Sequence, residues 1–310
     1  MRNTLVFFFA MWLGLGLSAT AQEGISQTGH ISFGAPAAKQ SATPAVSSLD
    51  DVDTGIPVTN MKNSRTFVLI VANENYMNLS KVDFALNDSK VFKEYCEKTF
   101  GVPSRNIIYK TNATHGMMRK AVDDIKNIAE ACHGNCKIIV YYAGHGAPDE
   151  SSKEAFLMGT DAYGVDRYTC YPLSDFYKDL SALQAKSVVV FMDACFTGAA
   201  RSESGAMLAS ARGVAIVPKK NVLTGKVVVF SAASQNETAM PYREQKHGLF
   251  TYYMLSKLKE TKGNVNCGEL ADYLKDNVGL NSFLINGKKQ NPNIIIGSDL
   301  LNSWKNLPLR

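Results

Sequence analysis

The 310-residue chain predicts a three-layer α/β/α sandwich around a mostly parallel sheet of about six strands. Three observations lead there. Runs that are apolar at every position recur along the chain, and such runs belong to strands covered on both faces. Between them lie stretches with apolar residues at three- and four-residue spacing, as amphipathic helices require. The two kinds alternate through one unit of about 250 residues, the pattern of a parallel sheet under crossover helices. No internal repeat interrupts it.

The first strand is expected at Arg65-Thr66-Phe67-Val68-Leu69-Ile70-Val71-Ala72. A helix over Ser89 to Thr99 follows, with Asn87-Asp88 suited to cap it. Asn106-Ile107-Ile108-Tyr109 is the next strand. From His115 to Cys132, the residues Met118, Val122, Ile125, Ala129 and Cys132 form one apolar stripe. Lys137 to Tyr142 is a strand, and Ser174 to Leu183 a helix that opens on a capping Ser. Ser187 to Met192 and Lys226 to Phe230 are two further buried strands. Helices over Leu249–Leu258 and Glu269–Val278 precede a last strand, Asn293 to Ile296.

The start of the chain has a different character. Arg2 precedes the apolar run Leu5 to Leu17, and Ala19-Thr20-Ala21 then offers small residues at a cut site. This is the pattern of a secretory signal over residues 1–21. The apolar run is short for a membrane span, although an uncleaved anchor is the other reading. Residues 22–60, rich in Ser, Ala, Thr, Gly and Pro, read as a flexible leader or pro-segment. Residues 61–310 form the folded domain. The expected product is secreted or periplasmic, with no membrane attachment once the signal is cut.

Composition narrows the function further. The chain is 45% hydrophobic and 20% charged, which excludes collagen-like, coiled-coil and wholly disordered classes. A net charge of +5, with no long run of Lys or Arg, gives no reason to expect nucleic acid as a partner. Cys132 and Cys136 are the one close pair among six cysteines and could close a small disulfide loop. No second ligand pair accompanies them, so a zinc site is not expected. The acids Asp123, Asp124, Asp161 and Asp166 lack calcium-loop spacing, and no cofactor or metal is expected.

Functional groups in such sheets collect where strands end at their carboxyl edge. Two strand ends stand out. One runs Val140-Tyr141-Tyr142-Ala143-Gly144-His145-Gly146, the other Phe191-Met192-Asp193-Ala194-Cys195-Phe196-Thr197-Gly198. Each ends in a reactive residue framed by small ones, which let a substrate backbone approach. Singly, the Cys is more often a buried inert thiol and the His a turn residue. Sharing one structural slot, they can act together, the thiolate attacking a carbonyl while the imidazole moves a proton.

These two segments resemble the paired motifs of the caspase and metacaspase superfamily of cysteine peptidases (clan CD), and the chain is most similar to its bacterial metacaspase-like branch. Caspases are known to carry the His about 50 residues before the Cys, and the same spacing here is part of the resemblance. The resemblance spans about Arg65 to Ile296. It implies a caspase-like sandwich, Cys195 as nucleophile, His145 as general base and acid, and an oxyanion hole from the backbone N–H groups of Gly146 and Cys195. It implies a Cys/His dyad with no third member, and a monomer. Phe230-Ser231-Ala232-Ala233-Ser234 resembles the strand that pairs with substrate, and His247-Gly248-Leu249-Phe250-Thr251 the helix start after it.

The residue two places before Cys195 is Asp193, where caspases that cut after Asp carry Gln. An acid there attracts Arg or Lys and repels Asp. Metacaspases, which cut after basic residues, carry an acid there and another ahead of the first helix, a stretch resembled by Leu86-Asn87-Asp88-Ser89. The substrate-binding set implied is Asp88, Ala143, Asp193 and Ser231, with Glu237 as a further acid. Asp88 is equally placed to be a plain helix cap. The expected partners are proteins or peptides with a basic P1 residue. The loop over 199–226 carries Arg201, Arg212, Lys219, Lys220 and Lys226 and is a candidate for self-processing. The alternative is a catalytically silent caspase-homology module that binds a protein partner.

Overall fold

The computed structural model describes residues 51–196, 222–234 and 237–310. The export signal, the leader up to residue 50 and residues 199–221 of the basic loop lie outside the described residues.

In chain order the elements are β1 (Thr66–Ala72), α1 (Ala85–Lys98), β2 (Ile107–Thr111), α2 (His115–Ala131) and β3 (Lys137–Ala143). Then come β4 (Gly146–Pro148), β5 (Ala155–Met158), β6 (Cys170–Pro172), α3 (Leu173–Ser181) and β7 (Ser187–Asp193). The last are β8 (Val227–Ser231), β9 (Pro241–Tyr242), β10 (His247–Gly248), α4 (Leu249–Glu260), α5 (Cys267–Asn286) and β11 (Asn293–Ile296). The main sheet has six strands in the order β11-β8-β7-β3-β1-β2. All neighbours are parallel except β11, which runs antiparallel to β8. The expected architecture is thus present.

The apolar runs are explained by burial on both faces. Val68, Ile70, Ile139, Tyr141, Val189, Phe191, Val228 and Phe230 join the core under α1, α4 and α5. Leu69, Val71, Ile138, Val140, Val188, Val190, Val227 and Val229 join the core under α2 and α3. Alternate residues of one strand therefore serve opposite cores, so the middle positions are apolar without a break and polar residues fall at the strand ends. Phe92 of α1 stacks on Tyr141 at 4.9 Å and meets Phe191 at 5.8 Å, and Phe191 lies 5.3 Å from Phe230. This aromatic seam ties three central strands together.

Several local expectations are corrected. Helix α1 begins at Ala85, ahead of Ser89, after Phe84 in a left-handed conformation with no side-chain cap. Asp88 lies in the first turn and is no cap, because its carboxylate is taken by His247 and Gly248, far along the chain. Helix α3 starts after Pro172, and Ser174 turns its hydroxyl to Glu154 Oε1 at 2.6 Å. Helix α5 starts at Cys267 through a reciprocal capping box of Asn266 and Glu269 and runs on to Asn286. Strands β4, β5 and β6 form a small antiparallel sheet, too short in each segment to show a period in the sequence.

The leader boundary also moves. Composition marks residues 51–60 as loose, yet they are seated on α1 and α4. Val52 is buried, Tyr95 Oη donates to Val52 O at 3.1 Å, and Lys259 Nζ donates to Asp51 O at 2.7 Å. Thr59 N donates to Lys98 O at 3.0 Å, and Thr99 Oγ1 to Pro57 O at 2.7 Å. These partners lie some 40 residues or more away in the chain, so composition alone could not reveal them. None of the six cysteines is in a disulfide, and the pair at 132 and 136 stays as two thiols. Burial pushes the thiols of Cys96, Cys136, Cys170 and Cys267 up, to about 12 for Cys136 and Cys267, which keeps them protonated and inert.

Candidate active site

Strands β3 and β7 are neighbours at the centre of the sheet, and their last residues, Ala143 and Asp193, are register partners. Gly144 N donates to Asp193 O at 3.3 Å just beyond them. Two residues past each strand end stand His145 and Cys195. Equal offsets from a shared register put the two residues at the same carboxyl edge of the sheet. They are 5% and 6% exposed, respectively. The two loops touch because position 146 is Gly. A Cβ there would lie 2.7 Å from the carbonyl oxygen of Cys195 and 2.6 Å from the ring of Phe196.

His145 is fixed from three sides. Its N–H donates to Tyr76 Oη at 2.8 Å, and its carbonyl accepts from Tyr142 Oη at 2.7 Å. Its Nε2 lies 2.7 Å from the carbonyl oxygen of Ser80. A carbonyl can only accept, so Nε2 carries a proton, and whenever the ring is neutral its lone pair is on Nδ1. The Tyr76 ring packs on the imidazole at 4.7 Å. Burial holds both phenols well above their ordinary range, so they remain hydroxyls. Gly144 leaves room for them, since a Cβ there would come within 2.8 Å of Tyr76 Oη and 2.9 Å of Tyr142 Oη.

Cys195 Sγ faces the carbonyl oxygen of Glu237 at 3.7 Å. The Glu237 carboxylate points elsewhere. It accepts from Asn291 N at 2.6 Å and from Asn291 Nδ2 at 2.5 Å. Glu237, the further acid expected, thus has both carboxylate oxygens engaged by Asn291. Its carboxylate anchors the approach to β11, while its backbone reaches the thiol. Ser231 ends β8 in register with Met192, and its hydroxyl donates to Ala233 O at 3.2 Å. The stretch after it thus lies beside the strand end that carries Cys195.

The two expected pocket acids, Asp88 and Asp193, are both fully buried and both bonded to the start of α4. Thr251 Oγ1 donates to Asp193 Oδ2 at 2.7 Å, and Tyr141 Oη lies 2.9 Å from the same hydroxyl. Gly248 N lies 3.1 Å from each carboxylate oxygen of Asp88, and His247 Nδ1 lies 2.7 Å from Oδ1. One helical turn therefore gathers both carboxylates, and β9 paired with β10 fixes where that turn begins.

Sequence reasoning missed Tyr76, Ser80, His247 and Thr251 as parts of the site. Tyr76 and Ser80 lie in the loop after β1, at the same carboxyl edge as the two motifs, and that placement is the one signal that pointed to them.

A three-layer sandwich with a thiol and an imidazole at matched ends of its central strands is the class that the fold and site define. A family model described as the caspase domain, peptidase family C14, matches residues 65–298, and the chain belongs to that family of cysteine peptidases. The crystal structure of caspase-1 from Spodoptera frugiperda shares the fold, with a TM-score of 0.54 and 15% identity, over 80% of this chain and 94% of that one. No curated protein matches the chain.

Proposed function

We propose that the chain is an exported cysteine endopeptidase that works through a Cys195/His145 dyad and cleaves after Arg or Lys. The observation that carries the dyad is the equal offset of the two residues from the register pair Ala143 and Asp193. The thiol gives its proton to His145 Nδ1 and its sulfur attacks the scissile carbonyl carbon. The oxyanion that forms is met by backbone N–H groups of Gly146 and Cys195. The imidazolium returns the proton to the leaving amine as the C–N bond breaks. Water then attacks the thioester, giving its proton to the same imidazole, and the sulfur leaves as the acid product forms. The hydrogen bond to Ser80 O holds Nε2 as donor throughout, so Nδ1 alone exchanges protons.

Preference for a basic P1 side chain is supported by two buried carboxylates, Asp88 and Asp193, both held by the start of α4, with Asp193 two residues before Cys195. A guanidinium or ammonium gains from both, whereas an acidic side chain is repelled. Self-processing in the loop over 199–226 follows if its Arg and Lys residues reach the same site. The chain acts as a monomer after its signal is removed.

A fluorogenic peptide with Arg or Lys at P1 tests the reading. Wild type is expected to cleave it, with Cys195→Ala and His145→Ala each slower by at least about a thousandfold. Asp193→Asn should lower kcat/KM for the Arg peptide by about tenfold or more, with less effect on a neutral isostere. Turnover that survives Cys195→Ala, or an inert wild type, removes the peptidase reading, and the latter leaves a protein-binding module. Intact chains in both wild type and Cys195→Ala would rule out self-processing.

A further inference from the structure

His247 has a carboxylate on each side. Its Nδ1 lies 2.7 Å from Asp88 Oδ1 and its Nε2 lies 2.7 Å from Asp53 Oδ1. An ionised carboxylate is an acceptor only, so both ring nitrogens must donate, and the ring that does so is the imidazolium. The three partners come from separate parts of the chain. Asp88 belongs to α1, His247 to β10, and Asp53 to the segment that precedes β1. Among the described residues its other neighbours are uncharged: Asn87 Nδ2 lies 3.5 Å from Nε2, the Tyr252 ring of α4 lies at 6.4 Å, and Tyr242 of β9 is the register partner. Lys259 of α4 reaches the same leading segment at Asp51 O.

We propose that His247 sets the charge of the P1-selecting wall, and that Asp53 of the leading segment holds it in the charged form. This rests on the reading of Asp88 as a P1 acid. With the ring charged, the nearest neighbour of Asp88 cancels its negative charge. With the ring neutral, Nδ1–H still donates to Asp88, so the carboxylate stays in place while the ring no longer offsets its charge. The two acids are not equivalent. Asp88 is fully buried, whereas the Asp53 side chain is 39% exposed and its field is screened by water. Loss of the ring proton also sets a lone pair against Asp53, which loosens that contact. The segment ahead of the peptidase core is thereby coupled to selection for positive charge: seated, it quiets the wall, and released, it sharpens the preference.

The burial of His247 favours its neutral form, but the bonds to Asp88 and Asp53 outweigh this and raise its titration above the ordinary histidine range. The test compares an Arg peptide with its citrulline isostere, which has the same shape and no charge. A change in the dyad affects turnover of both peptides alike, so the ratio of their kcat/KM values isolates the wall. In wild type that ratio should rise about fivefold as pH increases through the His247 midpoint, the effect of one unit charge at short range under strong screening. Asp53→Asn should move the step to lower pH, and His247→Gln should abolish it. An NMR titration of the His247 ring in wild type and Asp53→Asn should show the same downward displacement. A flat ratio with Arg cleavage intact, or a step that persists in His247→Gln, overturns the proposal. If the Arg peptide is not cleaved at all, the P1 reading fails by itself. The NMR comparison then still decides the clamp, because an unchanged midpoint in Asp53→Asn refutes it.

Discussion

His145 is held by groups that do no chemistry themselves. Tyr76 accepts from its amide, Tyr142 donates to its carbonyl, and Ser80 O accepts a hydrogen bond from Nε2–H. Tyr76→Phe keeps the ring that packs on the imidazole but leaves a buried N–H without that acceptor, at about 1–3 kcal/mol. The expected outcome is a kcat several-fold lower with KM little changed, read from full kinetics on a basic peptide. Gly146→Ala is expected to be harsher. Its Cβ would stand 2.7 Å from backbone of Cys195, which cannot turn aside as a flexible side chain can. A displacement of that kind can lower kcat about a hundredfold. A folded variant with unchanged kcat would remove the close contact from the account.

Helix starts decide where the polar groups of the site fall. Helix α4 begins directly after the β9–β10 pair, and its first turn supplies Thr251 to Asp193 while Gly248 and His247 meet Asp88. Helix α5 has no such duty, so its cap can be tested for stability alone. Asn266→Ala should lower stability by about 1 kcal/mol, and Tm by about 2–4 °C for a domain of this size. Activity should not change. The leading segment has a pH-dependent anchor. The folded-state pKa of His247 is raised, so its clamp contributes fully below the unfolded value of about 6.5 and is lost as pH rises through the folded value. Wild type should therefore melt progressively lower across that window, and Asp53→Asn should flatten the dependence. Identical Tm-versus-pH curves for the two proteins would contradict the clamp.

The described domain is a sheet buried twice, with its candidate site at the edge where the central strands stop. Phe191 lies between Phe92 and Phe230 on one face, in the strand that carries Cys195 two residues beyond its end. Phe191→Ala should lower unfolding stability by about 3–5 kcal/mol, measured by denaturant titration. Activity should fall with it, since the same strand sets the height of the thiol. Much of this was legible in the chain. Strands apolar at every position announced two covered faces, and the residues after Ala143 and Asp193 announced the site. The helix starts were less legible, because Asp88 and Ser174 carry capping side chains that tertiary partners claim instead. Residues 51–60 read as loose because their polar composition hides Val52, whose packing and backbone partners lie far along the chain.

By itself the sequence determined the six strands of the main sheet and the helices between them, and that a thiol and an imidazole each follow a buried strand. Those are local facts, since periodicity and small residues report how one segment meets its surroundings. Tertiary structure alone decided that β3 and β7 are neighbours in register, that Ser80 O fixes the imidazole, that Glu237 turns away, and that Asp53 and Asp88 share His247. Those pairings join residues tens to nearly two hundred positions apart, and which side chains meet at such range depends on how the layers pack, not on any pattern within one segment.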